Sequence, residues 1–133
     1  MRFGGRSAGL IAAAAIVSGC RNATPTSSVC LPDSIAAIDV TVVSAKSGIG
    51  PDAAILAIAS RNDYRDSSRV AAGARSGPVH VYLAFDEVGS FRVDVLAQGY
   101  VPWARDSIVV SEDACRQPIT ASVMAELVPS SSY

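Results

Sequence analysis

The sequence predicts an all-β protein, a small antiparallel β-sandwich of about seven strands, on three observations. Apolar and polar residues alternate in several short runs, as where Val79, Val81, Leu83 and Phe85 interleave with His80, Tyr82 and Ala84; that is the period of a strand with one face on a core. Clusters of turn residues, such as Ser44 through Asp52 with two glycines and a proline, separate the runs. No segment carries a convincing amphipathic helical pattern. Aromatics are only 6% of the chain, so the core must come from Val, Ile, Leu and Ala. Small exported domains commonly reinforce so modest a core with disulfides.

The chain opens with a segment that is not part of the sandwich. Ala8 to Cys20 follows Arg2 and Arg6, runs almost wholly apolar for about ten residues and stops at small residues, the layout of a secretory signal. It is too short to span a membrane, which takes roughly 20 apolar residues. Its last four residues, Val17-Ser18-Gly19-Cys20, resemble the lipobox of bacterial lipoproteins. That resemblance implies cleavage before Cys20 and a diacylglyceryl group, with palmitate-type chains, on its thiol. An ordinary signal cut after Gly19 is the alternative, and both export the chain. At about 0.8 kcal/mol per buried CH₂, one acyl chain holds a membrane marginally and two or three hold it stably. The expected location is the bacterial cell envelope, facing the periplasm or exterior. Arg21, in place of the aspartate that retains some lipoproteins at the inner membrane, favours the outer one. Residues 1–19 are thus read as signal, 20–34 as lipid anchor and flexible tether, 35–128 as the β-domain and 129–133 as a tail.

All twelve acidic residues but only nine of the eleven basic ones lie beyond residue 19, for a net charge of −3. A nucleic-acid partner would call for a basic patch instead. Lipidation of Cys20 would leave Cys30 and Cys115 as a pair, which we expect to be bridged. A loop of that length is worth at most about 4–5 kcal/mol in the chain-entropy model.

The strands follow in order. Ile35 to Val43 alternates, with Ile38, Val40 and Val42 on one face. Ala53 to Ala59 is apolar on both faces and fits a short central strand. Arg61 to Arg69 is the most polar stretch, and with Val70–Pro78 it reads as a long irregular loop, an interaction surface by the rule that such loops are functional or mobile. Val79–Phe85 and Phe91–Ala97, joined by five residues including Gly89, read as a hairpin. Gln98 to Trp103 breaks the pattern and Ile108-Val109-Val110 resumes it. The last strand places Ile119, Ala121, Val123, Ala125 and Leu127 on one face, and Pro129 ends it.

Gly89-Ser90-Phe91-Arg92-Val93-Asp94-Val95, then Gly99-Tyr100, resemble the signature of carboxypeptidase regulatory-like domains, and Val40 through Pro51 is similar to their earlier strand and Gly-Pro turn. The resemblance spans residues 35 to 128 and implies a transthyretin-like (prealbumin-like) sandwich and a non-catalytic module for folding support, adhesion or partner contact. The chain departs from the family's commoner members in its Arg61–Pro78 insertion. Read on its own, Gly99 can take positive φ, and Tyr100 can pack over the sandwich end and bond backbone through its hydroxyl, as tyrosine corners do.

Chemistry is sparse. His80 is the only histidine, so a metal site lacks ligands, and no cofactor is expected. No G-x-S-x-G elbow occurs. Ser44 with Lys46, or His80, are the weak candidates for a hydrolase. Hydroxyisourate hydrolases of the transthyretin-like fold need several histidines and a C-terminal tetrapeptide that this chain does not have. Candidate interaction residues are Arg61, Tyr64, Arg65, Arg69 and Trp103. The arginines recur every four residues, a cationic stripe if helical, but intervening Asp63 and Asp66 favour a solvated loop. Trp103 reads as a packing residue before a sugar platform. A small-ligand carrier would need a pocket, one lined by Tyr64, Tyr82 and Trp103 being the arrangement to look for. The expected function is therefore a non-catalytic, lipid-anchored module contacting an envelope protein or glycan.

Overall fold

The computed structural model describes residues 30–131; the expected signal, Cys20 and residues 21–29 of the expected tether lie outside them. Seven strands form: β1 Ala36–Ser44, β2 Ile55–Arg61, β3 Tyr64–Val70, β4 Val79–Phe85, β5 Gly89–Ala97, β6 Trp103–Val110 and β7 Ala121–Leu127. They make two sheets packed face to face, one of three strands in the order β4-β1-β7 and one of four in the order β3-β2-β5-β6. The fold is the seven-stranded all-β sandwich that the sequence predicts. One pairing is not antiparallel: β1 and β7 run parallel, from Ile38 beside Ala121 to Ser44 beside Leu127.

Alternation sets the core. Ile38, Val40 and Val42 of β1, Ile55, Ala57 and Ala59 of β2, Phe91, Val93 and Val95 of β5, and Val123, Ala125 and Leu127 of β7 are all buried between the sheets. Phe91 is the largest of the fully buried side chains.

Four local readings are corrected. Arg61–Arg69 is not a loop: β2 and β3 form a hairpin in register from Arg61 beside Tyr64 to Ile55 beside Val70. Asn62, at φ 49°, makes its two-residue turn with Asp63. Only residues 71–78 are irregular, and they are tied down, Arg75 donating to Pro51 O at 3.2 Å and Ala71 O at 2.6 Å. Nor do β4 and β5 form a hairpin, since they lie in opposite sheets. Ala84 and Asp86 take φ of 57° and 62°, which turns the chain away from its own neighbour. The Asp86 carboxylate accepts the Ile35 N–H at 3.0 Å and the Ser34 hydroxyl at 3.1 Å, fixing that turn to the start of β1. The same kink reverses the alternation, so that Ala84 is buried and Phe85 is 47% exposed. Ile119, read as an inward residue of the last strand, precedes β7 and is 55% exposed. The fourth correction is at Trp103: it begins β6, opposite Val95 of β5, rather than lying in a break.

Cys30 and Cys115 form a disulfide with Cα atoms 5.5 Å apart, joining the chain before β1 to the β6–β7 connection. Gln117 Nε2 donates to Leu31 O at 2.7 Å beside it. Residues 30–34, read as the end of the tether, are therefore held on the domain. At the other end, Val101 N–H donates to Val128 O at 2.8 Å and Ser130 N–H to Gly99 O at 2.9 Å, so the start of the expected tail is part of the fold as well.

Candidate functional site

A concave feature among the described residues lies on the outer face of the four-stranded sheet, at one end. Period-two alternation in β2, β3 and β5 sends Leu56, Arg69 and Leu96 outward, and the register places them in one row, Arg69 beside Leu56 and Leu56 beside Leu96. Leu56 and Leu96 are the apolar floor. Beyond β5, Gly99 at φ 85° swings the chain round, a conformation that costs a side-chain-bearing residue but not glycine. Tyr100 and Pro102 thereby become a wall. The groove encloses about 390 Å³ and is lined further by Ala54, Ala97 and Gln98.

Arg69 supplies its one charge. It is exposed, and neither an ion pair nor a hydrogen bond engages it among the described residues. Arg65 points out from the same face of β3 two rows along, beside Ser60, about 13 Å away at roughly 3.3 Å per residue. The other arginine of this face is neutralised. Arg92 forks onto Asp94 at 3.2 Å and Asp106 at 3.3 Å, and those carboxylates, Asp94 first, hold its proton more tightly than usual. Positive potential on this sheet is thus concentrated along β3.

The sequence-predicted interaction residues divide. Arg65 and Arg69 belong to this outward face. Arg61 and Tyr64 point the other way, into the end of the sandwich. The Arg61 guanidinium lies 4.9 Å from the Phe91 ring centroid and 5.7 Å from that of Tyr64. It donates to Val88 O and pairs with Glu87 at 3.0 Å. Tyr64 meets Phe91 edge-on, with centroids 6.1 Å apart. Burial raises the Tyr64 hydroxyl above its ordinary value of 10, with Asp66 and Glu87 adding to the shift and Arg61 opposing it. Gly89 completes this staple: a Cβ there would fall 2.7 Å from Arg61 Nη1. These are stabilising contacts at the β4–β5 crossing, not a surface. Trp103 is half-buried against the core at the opposite edge of the sheet. Tyr64, Tyr82 and Trp103 do not share a pocket.

The hydrolase candidates are occupied otherwise. Ser44 is 4% exposed and its Oγ accepts the Lys46 N–H at 3.4 Å, a turn contact. His80 Nδ1 sits 3.0 Å from Asp39 Oδ1 and 3.4 Å from Thr41 Oγ1 on the outer face of the three-stranded sheet. Both partners use the same ring nitrogen, so Thr41 is not aligned as a nucleophile on the other. The described residues contain no group of three His, Cys, Asp or Glu side chains that could hold a metal. Tyr100 acts through its backbone, donating to Ala97 O at 3.1 Å and bridging Pro129, with no hydroxyl bond of the tyrosine-corner kind among the described contacts.

Sequence reasoning missed Asp66 and the groove walls. Asp66, read as a solvated loop charge, turns inward and its Oδ2 accepts the Ala84 N–H at 2.8 Å, joining the two sheets. The signal was there in the alternation of Tyr64, Asp66, Ser68 and Val70 with Arg65, Ser67 and Arg69, behind an Asn-Asp turn. Compared with protein-family models, curated proteins and solved structures, the chain finds no match in any of the three.

Proposed function

We propose that this chain is a non-catalytic, lipid-anchored module of the bacterial cell envelope, and that it contacts an acidic envelope protein or glycan through the outer face of its four-stranded sheet. The observation that carries the reading is the groove with unpaired Arg69 at its rim and Arg65 beyond. An apolar floor with one desolvatable cation suits a partner that offers a carboxylate next to an apolar or sugar surface. The resemblance to carboxypeptidase regulatory-like domains supports a binding role for the sandwich, and the lipobox supports an anchor at Cys20.

Two measurements test the two halves separately. In cells fed labelled fatty acid, the wild-type chain should carry label and sediment with membranes, and Cys20→Ser should do neither; an unlabelled wild type removes the anchor. A photo-crosslinking amino acid in place of Leu96 should give a discrete adduct in intact cells, lost with Arg69→Glu and kept with Arg116→Glu, an exposed cation elsewhere. An adduct indifferent to Arg69, or none, removes the contact site. The groove volume also lies in the range of small-ligand sites, about 300–1,000 Å³; under that second reading the crosslinker traps a small molecule, visible as a mass increase too small for a protein.

A further inference from the structure

A sandwich of two open sheets has four edge strands, and three of these are guarded. The β3 and β4 edges lie on one side of the molecule, where Asp66 consumes the Ala84 N–H and positive φ at Ala84 kinks β4. On the other side, β6 carries a register shift opposite Phe91–Val93, a positive φ of 59° at Ser107 and the charges of Arg105 and Asp106. Bulges, kinks and charges are how proteins keep a strand edge from pairing with another chain. The fourth edge, β7, has neither bulge nor kink, and its one charge, Glu126, stands next to its last residue. It is seven residues long, regular throughout its pairing with β1, and contains no glycine, proline or basic residue.

The parallel register says which of its backbone groups are open. Leu127 O accepts from Ala45 N–H, so Leu127, and with it Ala125, Val123 and Ala121, turns both N–H and C=O toward β1. The intervening Ser122, Met124 and Glu126 turn theirs to the open side, where no strand pairs with them among the described residues. The chain on either side of this window is stitched to the other sheet, by the Glu112–Pro118 and Tyr100–Pro129 bridges. Three unpaired N–H and three unpaired C=O groups thus stand in a frame.

The geometry points to a second copy of this chain as the occupant, with β7 pairing antiparallel to its twin about a two-fold axis at Met124. In that register Met124 faces Met124, itself 56% exposed, and Ser122 faces Glu126 on both sides of the axis. All six open backbone groups of each strand then pair, and no like charges meet. Centring the axis on Ala125 instead sets Met124 against Glu126 and pushes Ser122 opposite Val128, beyond the strand. Centring it on Glu126 opposes two carboxylates. Only the register centred on Met124 pairs all six open groups within β7 and also keeps the two carboxylates apart, which favours a copy of itself over an arbitrary extended peptide. The product is a continuous six-stranded sheet, β4-β1-β7-β7-β1-β4. It leaves the Arg69 groove free and does not depend on the function proposed for it.

The register gives the test. In the full chain exported by cells, Met124→Cys places two thiols across a hydrogen-bonded pair with Cα atoms about 5.5 Å apart, within disulfide reach. Ser122→Cys places them four residues out of register, about 13 Å apart. A crosslinked dimer at roughly tenfold higher yield from Met124→Cys than from Ser122→Cys is expected, since only the former pair can bridge without backbone movement. Met124→Pro, which removes only an outward N–H and is the kind of proline an edge strand tolerates, should abolish the dimer in light scattering of the detergent-purified protein while leaving thermal unfolding cooperative. Arg69→Glu should leave it intact. Equal yields at 122 and 124, a dimer indifferent to Met124→Pro, a wild type monomeric at every concentration reached, or an adduct with a different protein would each overturn the proposal.

Discussion

The two open sides of the sandwich are closed by different means. On the β3–β4 side one side chain does it: Asp66 reaches across the layers to a backbone N–H left over by a kinked strand. On the β6–β7 side the closure is covalent and main-chain. A disulfide and the Asp113 loop, whose carboxylate accepts the Cys115 and Gln117 N–H groups at 2.8 and 3.0 Å, hold one end. The Val101–Val128 and Gly99–Ser130 bonds hold the other. A single half-buried acceptor closes a seam at one point and fails all at once. Paired stitches at the ends survive the loss of either one and leave the middle of the strand available.

The comparison breaks most sharply at the disulfide. Replacing both Cys30 and Cys115 by serine should cost about 2–4 kcal/mol, read as a fall in the thermal midpoint, and amide exchange should rise first in residues 30–35 and 111–119. A uniform rise would mean that the bridge acts on the whole domain and not on this side. On the opposite side, Asp66→Ala strands the Ala84 N–H and should cost about 1–3 kcal/mol in urea unfolding. Asp66→Asn keeps an acceptor oxygen and should recover most of it; if both variants lose equally, the carboxylate's charge rather than its hydrogen bond matters. The smallest effect is expected at Tyr64, beside Asp66. Its hydroxyl is raised in the folded state, first by burial and then by the Asp66 and Glu87 carboxylates. The folded chain therefore holds this proton more tightly than the unfolded one. The resulting stability is complete below pH 10 and is lost as pH rises through the folded value. Tyr64→Phe should remove that alkaline component, and the phenol absorbance of the wild type should include one tyrosine that titrates late.

Strands whose inward residues are apolar were legible in the sequence: β1, β5 and β7 announce their buried faces by alternation alone. β3 was not, because an edge strand covering little core can spend its inward positions on Asp66 and Ser68, leaving only Tyr64 and Val70 as apolar markers. The β4–β5 crossing was hidden for another reason. Its five-residue connection has hairpin chemistry, and what overrides it is the capture of Ser34 and Ile35 by Asp86, groups about fifty residues away in the chain. No local pattern carries that. At the candidate site, the exposed cations Arg65 and Arg69 could be found from charge. The groove could not, because Tyr100 and Pro102 reach it only through the turn at Gly99, and Leu56 reads as core until its strand has a known neighbour on each side.

The bridge at Cys30 also sets how the domain bears load. β1 lies between β4 and β7, paired on both sides from Ile38 to Val42, and the chain enters it at the end farthest from the groove wall, which sits beside Val128. A pull on the N-terminal side is therefore shared at once with the β6–β7 connection through sulfur, and what passes on into β1 acts along the strand. Both of its ladders resist by sliding in shear, all bonds together, instead of being peeled open one at a time.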